Sequence, residues 1–301
     1  MRNHVFLVIA HDKIDYLSNL VGWLSAPNHY FVIHIDRKLS SMLDDDEMNR
    51  LAEQSNVHLF SSLSVNWGGL TQVLCTLEMI KKANELFPFA EWIHLISGSH
   101  IPLKNNSYLD SFFENTPFMG FMEVSNLLEE KLRELVEKRM CIYHFNDIHD
   151  RRNHNVVGAI LRITESVENA VLNANVRIRK PISFKYAKGS QWFSWKKELL
   201  DYVLAFLNEN DWYLNRFRYT SCCDEIFFHI ILRNSMYWTK ICKKNYLYVD
   251  WTHLDPGEHA PHTLQLCDYS RMSQNAEWLF ARKIDPVKSK QLIDKIIMSR
   301  G

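Results

Sequence analysis

The sequence predicts an α/β fold with a mainly parallel sheet. Three observations predict it: short continuous apolar runs, helical stripes of suitable length between them, and a polar residue closing each run. An apolar run without polar alternation marks a strand covered on both faces, as parallel strands flanked by helices are.

The elements follow in order. Residues 5–10 (V-F-L-V-I-A) form the first such run, which His11 and Asp12 end. Ile14, Leu17, Val21 and Leu24 then recur at helical spacing ahead of Pro27. Residues 30–35 read as a second strand closed by Asp36, residues 57–60 as a third, and residues 92–96 as a fourth closed by Ser97. A helix over 70–87 carries Leu70, Leu74, Leu77 and Ile80 on one stripe, with Pro88 after it. The second half is less regular: 127–136 and 156–172 read as helices, 183–187 and 191–195 as extended, and 246–250 as a strand. With no internal repeat, low-complexity tract or Gly/Ser linker, a single domain over 1–301 is expected.

Composition narrows the function classes. The chain is 47% hydrophobic and 23% charged, ordinary values for a globular protein with a large core. Lys plus Arg and Asp plus Glu both number 35, so no global field draws nucleic acid or an anionic bilayer, and recognition has to be local. No apolar run nears the about 18 residues of a membrane helix, and an apolar strand starting this early leaves no room for a signal peptide. The six cysteines show no C-x-x-C pair and are expected to be reduced thiols.

In open parallel sheets ligands sit outside the carboxyl ends of the strands, which makes His11, Asp36 and Ser97 candidates. Cys223-Asp224-Glu225 precedes an apolar helix over 226–232, whose first turn would carry both acids. Acids there complement the helix dipole, so Asp224 can cap while Glu225 projects as a general base. Asp44-Asp45-Asp46 lies in a polar stretch and reads as a solvated helix start rather than a metal-binding D-x-D at a strand end. Arg282-Lys283, held by an apolar stretch, is either an anion-binding pair or part of a surface ion pair. His253, His259 and His262 share a loop, with no acid or cysteine at a zinc spacing. Trp67-Gly68-Gly69 either lets backbone amides approach a phosphate or makes a tight turn into the long helix.

Eight strings occur in an order that carries a resemblance: V-I-A-H-D-K from Val8, F-V-I-H-I-D-R-K from Phe31, V-N-W-G-G from Val65, H-L-I-S-G-S-H-I-P-L-K from His94, K-G-S-Q-W-F-S from Lys188, C-D-E-I-F-F from Cys223, V-D-W from Val249 and L-F-A-R-K-I-D from Leu279. The chain resembles, over nearly its whole length, the core-2/I-branching β-1,6-N-acetylglucosaminyltransferases and peptide O-xylosyltransferases, particularly their shorter bacterial members. The resemblance implies a GT-A-type, Rossmann-like fold, with 1–125 as the nucleotide-sugar half and 126–301 as the acceptor and catalytic half. It also implies an inverting transfer of GlcNAc or xylose from a UDP-sugar to a glycan, without metal or other cofactor.

By position, Glu225 matches the family's catalytic base, Asp36 the acid of the donor pocket, and Lys283 the cation on the diphosphate. Arg282 and His11 belong with the donor, while His262 or Arg271 is the candidate second cation. Trp251, His253 and Trp192 match acceptor-contacting positions. Cys223 stands where the family usually has Pro, and His100 where Asp is usual. The implied setting is a cytoplasmic enzyme of surface-polysaccharide synthesis, without nucleic-acid partners. The basic helix over 127–136, continued by Lys138 and Arg139, is either a contact to the inner membrane face or a solvated surface. Two other readings are an inactive carbohydrate-binding protein of the same fold and a metal hydrolase built on the histidine loop.

Overall fold

Ten strands form in the computed structural model, which describes residues 2–11, 16–44, 46–148, 179–252 and 260–300, with 160, 163, 164, 166, 167 and 170. They are β1 His4–Ala10, β2 His29–Ile35, β3 Val57–Phe60, β4 Trp92–Ser97, β5 Ile101–Pro102, β6 Gly120–Met122, β7 Phe193–Lys196, β8 Ile241–Cys242, β9 Leu247–Val249 and β10 Phe280–Arg282. The chain divides into two units, one comprising 1–62, 82–117 and 245–301, the other 63–81 and 118–244.

The first unit holds the parallel strands expected from the apolar runs. β1 lies between β2 and β4 and pairs in parallel with both; β3 pairs in parallel with β2. Every residue of β1 is buried, which is what a run apolar at both parities demands. Fully covering a Leu7 or Val8 side chain contributes about 1.5–3 kcal/mol each. The register sets Ala10 beside Ile35 and Ile9 beside Ser97, so the residues that close the strands emerge at one end. A small second sheet places β10 antiparallel to β5 and parallel to β9, with Arg282 opposite Val249.

The strands also carry polar residues that the apolar runs do not announce. His4, His29, His34 and His94 are all buried. His94 stacks on Phe6 at 4.7 Å and on His4 at 5.2 Å between ring centroids.

In the second unit β6 pairs antiparallel with β7 and parallel with β8. The helix Lys197–Glu209 follows β7 and buries Leu199, Leu200 and Val203. The stretch 183–187, expected to be extended, forms no strand, because the Asn234 side chain takes both Lys185 backbone groups, at 3.0 and 2.9 Å. The helix expected over 127–136 runs instead over Glu129–Met140, which brings Arg139 into its last turn. The helix expected over 156–172 lies mostly outside the described residues.

Asp46 and Glu47 open the helix Asp46–Ala52, as a solvated helix start requires; Asp45 lies outside the described residues. Among the described residues no helix is long and apolar enough to cross a membrane.

Candidate functional site

The acid pair of the second unit does not occupy the first turn of a helix, as the sequence suggests. Cys222 takes the left-handed region at φ 46°, and Cys223–Glu225 then make one 3-10 turn of their own. Ile226, at φ −129°, breaks the path before the helix Phe227–Arg233 begins. That helix has no side-chain cap, so Asp224 is buried without capping it.

The W-G-G string explains how the turn is held. Gly68 has φ 69°, and its carbonyl accepts from Cys222 N at 2.8 Å and from Asn146 Nδ2 at 2.9 Å. The amides that open the helix Leu70–Leu86 are already occupied: Asp147 accepts from Leu70 N at 2.9 Å and Thr71 N at 3.1 Å. A Cβ on Gly69 would lie 2.1 Å from Asp147 Oδ1, so only glycine admits this carboxylate. The string is therefore a tight turn that supports the acids, and a side chain fills the place a phosphate would need. Cys223, in the position of the family's proline, is buried and donates its thiol to Gly69 O at 3.4 Å. Burial pushes that thiol well above its ordinary range, so it stays protonated.

Glu225 is the water-facing member of this network, its side chain 33% exposed. Arg139 Nη1 donates to Glu225 Oε2 at 2.7 Å, and Lys188 Nζ lies 3.0 Å from the same oxygen. Burial pushes the Glu225 carboxyl up, but Arg139 and then Lys188 outweigh it and hold it below the usual carboxylate range. Burial, and then the Glu225 charge beside it, push Asp224 the other way, up to about 7. Neighbouring acids are thus separated in role: one stays ionised at neutral pH, the other titrates there. Both ion pairs use Oε2, which leaves Oε1 outside them and able to accept a proton.

Lys188 is placed by its neighbour. Gly189 N donates to Glu225 O at 3.0 Å, and a Cβ on Gly189 would meet Glu123 O at 1.8 Å. His229 Nε2 donates to that same Glu123 carbonyl at 2.9 Å, and burial lowers the imidazole to about 4, so it is neutral. Neither Arg139 nor Lys188 was assigned a role at the site from sequence. Arg139 reads as part of a basic helix face, and its partner stands 86 residues away. The K-G-S string held the signal for Lys188, since a cation beside an obligatory glycine marks a close backbone approach.

The first unit collects the other candidates except Trp192. Asp36, 4% exposed, closes β2; its Oδ1 accepts from Lys38 N at 3.0 Å. His11 closes β1 and is exposed. Ser97, at the end of β4, donates its amide to His100 Nδ1 at 3.0 Å, and Ser97 Oγ lies 2.8 Å from the same nitrogen. His100 Nδ1 is thus an acceptor, and burial followed by the Arg282 charge drives the imidazole well below its ordinary range. The family's acid is replaced here by a neutral ring bound within its own turn.

Arg282 and Lys283 lie at the end of β10. Ile284 N donates to Ser99 O at 2.9 Å, and Leu264 N to Lys283 O at 2.9 Å, so the strand-end turn, Lys283 and the 260–264 segment are tied together. The parallel pairing with β9 brings Asp250 and Trp251 to the same end. Trp251 is 54% exposed.

Arg271 binds two acids, Asp250 at 2.8 Å and Asp268 at 3.4 Å, and His262 Nε2 is 3.5 Å from Asp268. Both candidate second cations are thereby engaged with carboxylates. Trp192, in the second unit, is 6% exposed. His253 and His259 lie outside the described residues. A cavity of about 680 Å³ in the second unit is walled by Tyr143, Arg179, Phe184, Trp212 and Arg216 among others, and none of the candidates lines it.

A parallel α/β unit with polar strand ends, together with an acid turn whose carboxylate meets both water and two cations, defines a GT-A-like protein with a candidate acid-base site. The chain belongs to the Core-2/I-Branching enzyme family, whose sequence model matches residues 5–275. Xylosyltransferase 1 of Rattus norvegicus is 22% identical over 97% of this chain and 34% of its own length. Xylosyltransferase oxt of Drosophila melanogaster is 24% identical over 89% of this chain and 30% of its own. Beta-glucuronosyltransferase GlcAT14A of Arabidopsis thaliana is 24% identical over 91% and 59%. The chain spans about a third of the length of the xylosyltransferases it matches.

Proposed function

We propose that the chain is an inverting glycosyltransferase that moves a sugar, GlcNAc or xylose, from a UDP-sugar to a glycan hydroxyl. The supporting observation is Glu225, a solvent-facing carboxylate kept ionised by Arg139 and Lys188 with Oε1 outside both ion pairs. In a single displacement the acceptor oxygen forms a bond to the anomeric carbon as the bond to the diphosphate oxygen breaks. The acceptor proton passes to Glu225, and the electron pair leaves with UDP. Inversion makes the product a β-glycoside.

Charge develops on the departing diphosphate, and Lys283 is the fixed cation assigned to it, together with Arg282 and His262. Asp36 and His11 bind the donor at the strand ends. Trp251, an exposed flat ring, stacks on the acceptor sugar; His253 and Trp192 are the other residues assigned to the acceptor. The reaction so written needs no metal.

The test is Glu225→Gln with a panel of UDP-sugars and a glycan acceptor. Turnover should fall by about 10² to 10⁴ while donor-induced thermal stabilisation is retained. Lys283→Ala should lose more in kcat than in donor affinity. Added Mn²⁺ should leave wild-type turnover unchanged. Wild-type turnover by Glu225→Gln at saturating donor would overturn the assignment.

A further inference from the structure

At the amino-terminal end of the parallel sheet, opposite the strand ends that carry His11 and Asp36, three side chains of the first unit converge. His4 opens β1, His29 opens β2, and Asp110 comes from the helix Asn106–Asn115. His29 Nε2 lies 2.9 Å and His4 Nε2 3.4 Å from one atom, Asp110 Oδ1. All three donor atoms are within 4.8 Å of one another. Both imidazoles are buried, and the aspartate side chain is 14% exposed.

The hydrogen bonds of the far ring nitrogens bear on what faces the centre. His29 Nδ1 lies 2.6 Å from the Leu24 carbonyl, an acceptor only, so Nδ1 carries a proton. His4 Nδ1 lies 2.9 Å from His94 Nε2, and His4 Nε2 makes no hydrogen bond despite its nearness to the carboxylate. With His4 Nδ1–H donating to His94, one of the two directions that contact allows, both Nε2 lone pairs are directed at an aspartate oxygen that itself only accepts. Three lone-pair donors facing one another repel unless a cation sits among them.

The alternative cation is a proton on one ring. A proton on His4 Nε2 would face Asp110 Oδ1 at 3.4 Å, a contact that forms no hydrogen bond. A proton on His29 would satisfy the pair His29–Asp110 and leave His4 Nε2 without a partner. A divalent ion satisfies all three.

We infer that His4 Nε2, His29 Nε2 and Asp110 Oδ1 form a structural zinc site that clamps the helix Asn106–Asn115 to the starts of β1 and β2. Tetrahedral zinc with bonds of about 2.0–2.2 Å holds its ligand atoms about 3.3 Å apart, close to the 2.9 and 3.4 Å from Asp110 Oδ1 to the two rings, whose own ligand atoms lie within 4.8 Å of each other. The surrounding bonds are those a zinc site uses. Each ligating ring donates its other N–H, one to a backbone carbonyl and one to His94, and Asn28 Nδ2 donates to Asp110 Oδ1 at 3.2 Å. Water, reaching the site on the partly exposed Asp110 side, completes the fourth position. The inference stands independently of the proposed transferase activity.

The experiment uses the full chain, stripped with chelator and titrated with Co²⁺ as a spectroscopic stand-in for Zn²⁺. One equivalent should bind with the intense visible d–d bands of tetrahedral cobalt, be displaced by Zn²⁺, and raise the Tm. Asp110→Asn and, separately, His29→Gln should each weaken cobalt binding by about tenfold or more, in protein whose circular dichroism remains native. His4→Gln serves as a third variant should either of these fail to fold. Wild-type protein that gives no tetrahedral cobalt spectrum overturns the site, as do folded variants that bind cobalt with wild-type affinity.

Discussion

Two carboxylate–arginine networks in this molecule are built in opposite senses. Around Glu225 the acid is the more exposed partner, at 33%, and Arg139 and Lys188 are the more covered ones, at 22% and 20%. Around Asp250 and Asp268 the acids are covered, at 2% and 3%, and Arg271 faces water at 46%. A buried carboxylate saturated by donors is a strut: Asp250 Oδ1 accepts from Thr252 N and Oγ1 at 2.8 and 2.6 Å while Oδ2 accepts from Arg271. A carboxylate more exposed than the cations that hold it keeps an oxygen for a reactant. Charge pairing alone does not separate the two; which partner is the more exposed does.

The sharpest way to break the comparison is to neutralise each acid without changing its shape. Glu225→Gln should cost about 10² to 10⁴ in turnover with little change in Tm. Asp250→Asn should instead destabilise the fold by about 1–3 kcal/mol, read from urea unfolding, because a buried acceptor of three hydrogen bonds loses its charge. If the kinetic variant were the unstable one, the two networks would have been assigned the wrong way round.

Lys188→Met sharpens the first network. Lys188 helps hold the Glu225 carboxyl below its usual range, so removing it raises the pKa, and the ionised base is then lost at higher pH. The acid limb of the kcat/KM profile should move to higher pH, and the variant should lose proportionally more activity at pH 5 than at pH 8.

The smallest effect concerns Asp224. Its carboxyl is raised from the usual 3.8 to about 7 in the folded protein, so between those values the folded state holds a proton that the unfolded chain has released. Stability contributed by this group is present at low pH and falls as pH rises through that window. Asp224→Asn, fixing the neutral form, should flatten that slope and gain more in Tm over wild type at pH 8 than at pH 5.

How much of this was legible beforehand depends on the range of the interaction. The runs at 5–10 and 30–35 identified β1 and β2, since burial on both faces leaves a continuous apolar signature. The strings around Glu225 and Lys283 identified candidate residues. The sequence was misleading at 223–225, where two acids before an apolar run read as a capped helix start. The left-handed Cys222 and the Gly68 carbonyl that accepts its amide instead make a separate turn. Arg139 was hidden in the basic helix Glu129–Met140, because a charge on an amphipathic helix looks the same whether it meets water or an acid 86 residues away.

The sequence by itself determined the parallel α/β core, the family and the residue types available for chemistry, all of which rest on local pattern. Tertiary structure decided which charges meet: Arg139 and Lys188 on Glu225, Arg271 on two buried acids, His4 and His29 on Asp110. The reason is physical. Hydrophobic periodicity is written along the chain, whereas a side chain's ionisation depends on which distant groups and how much water the fold leaves around it.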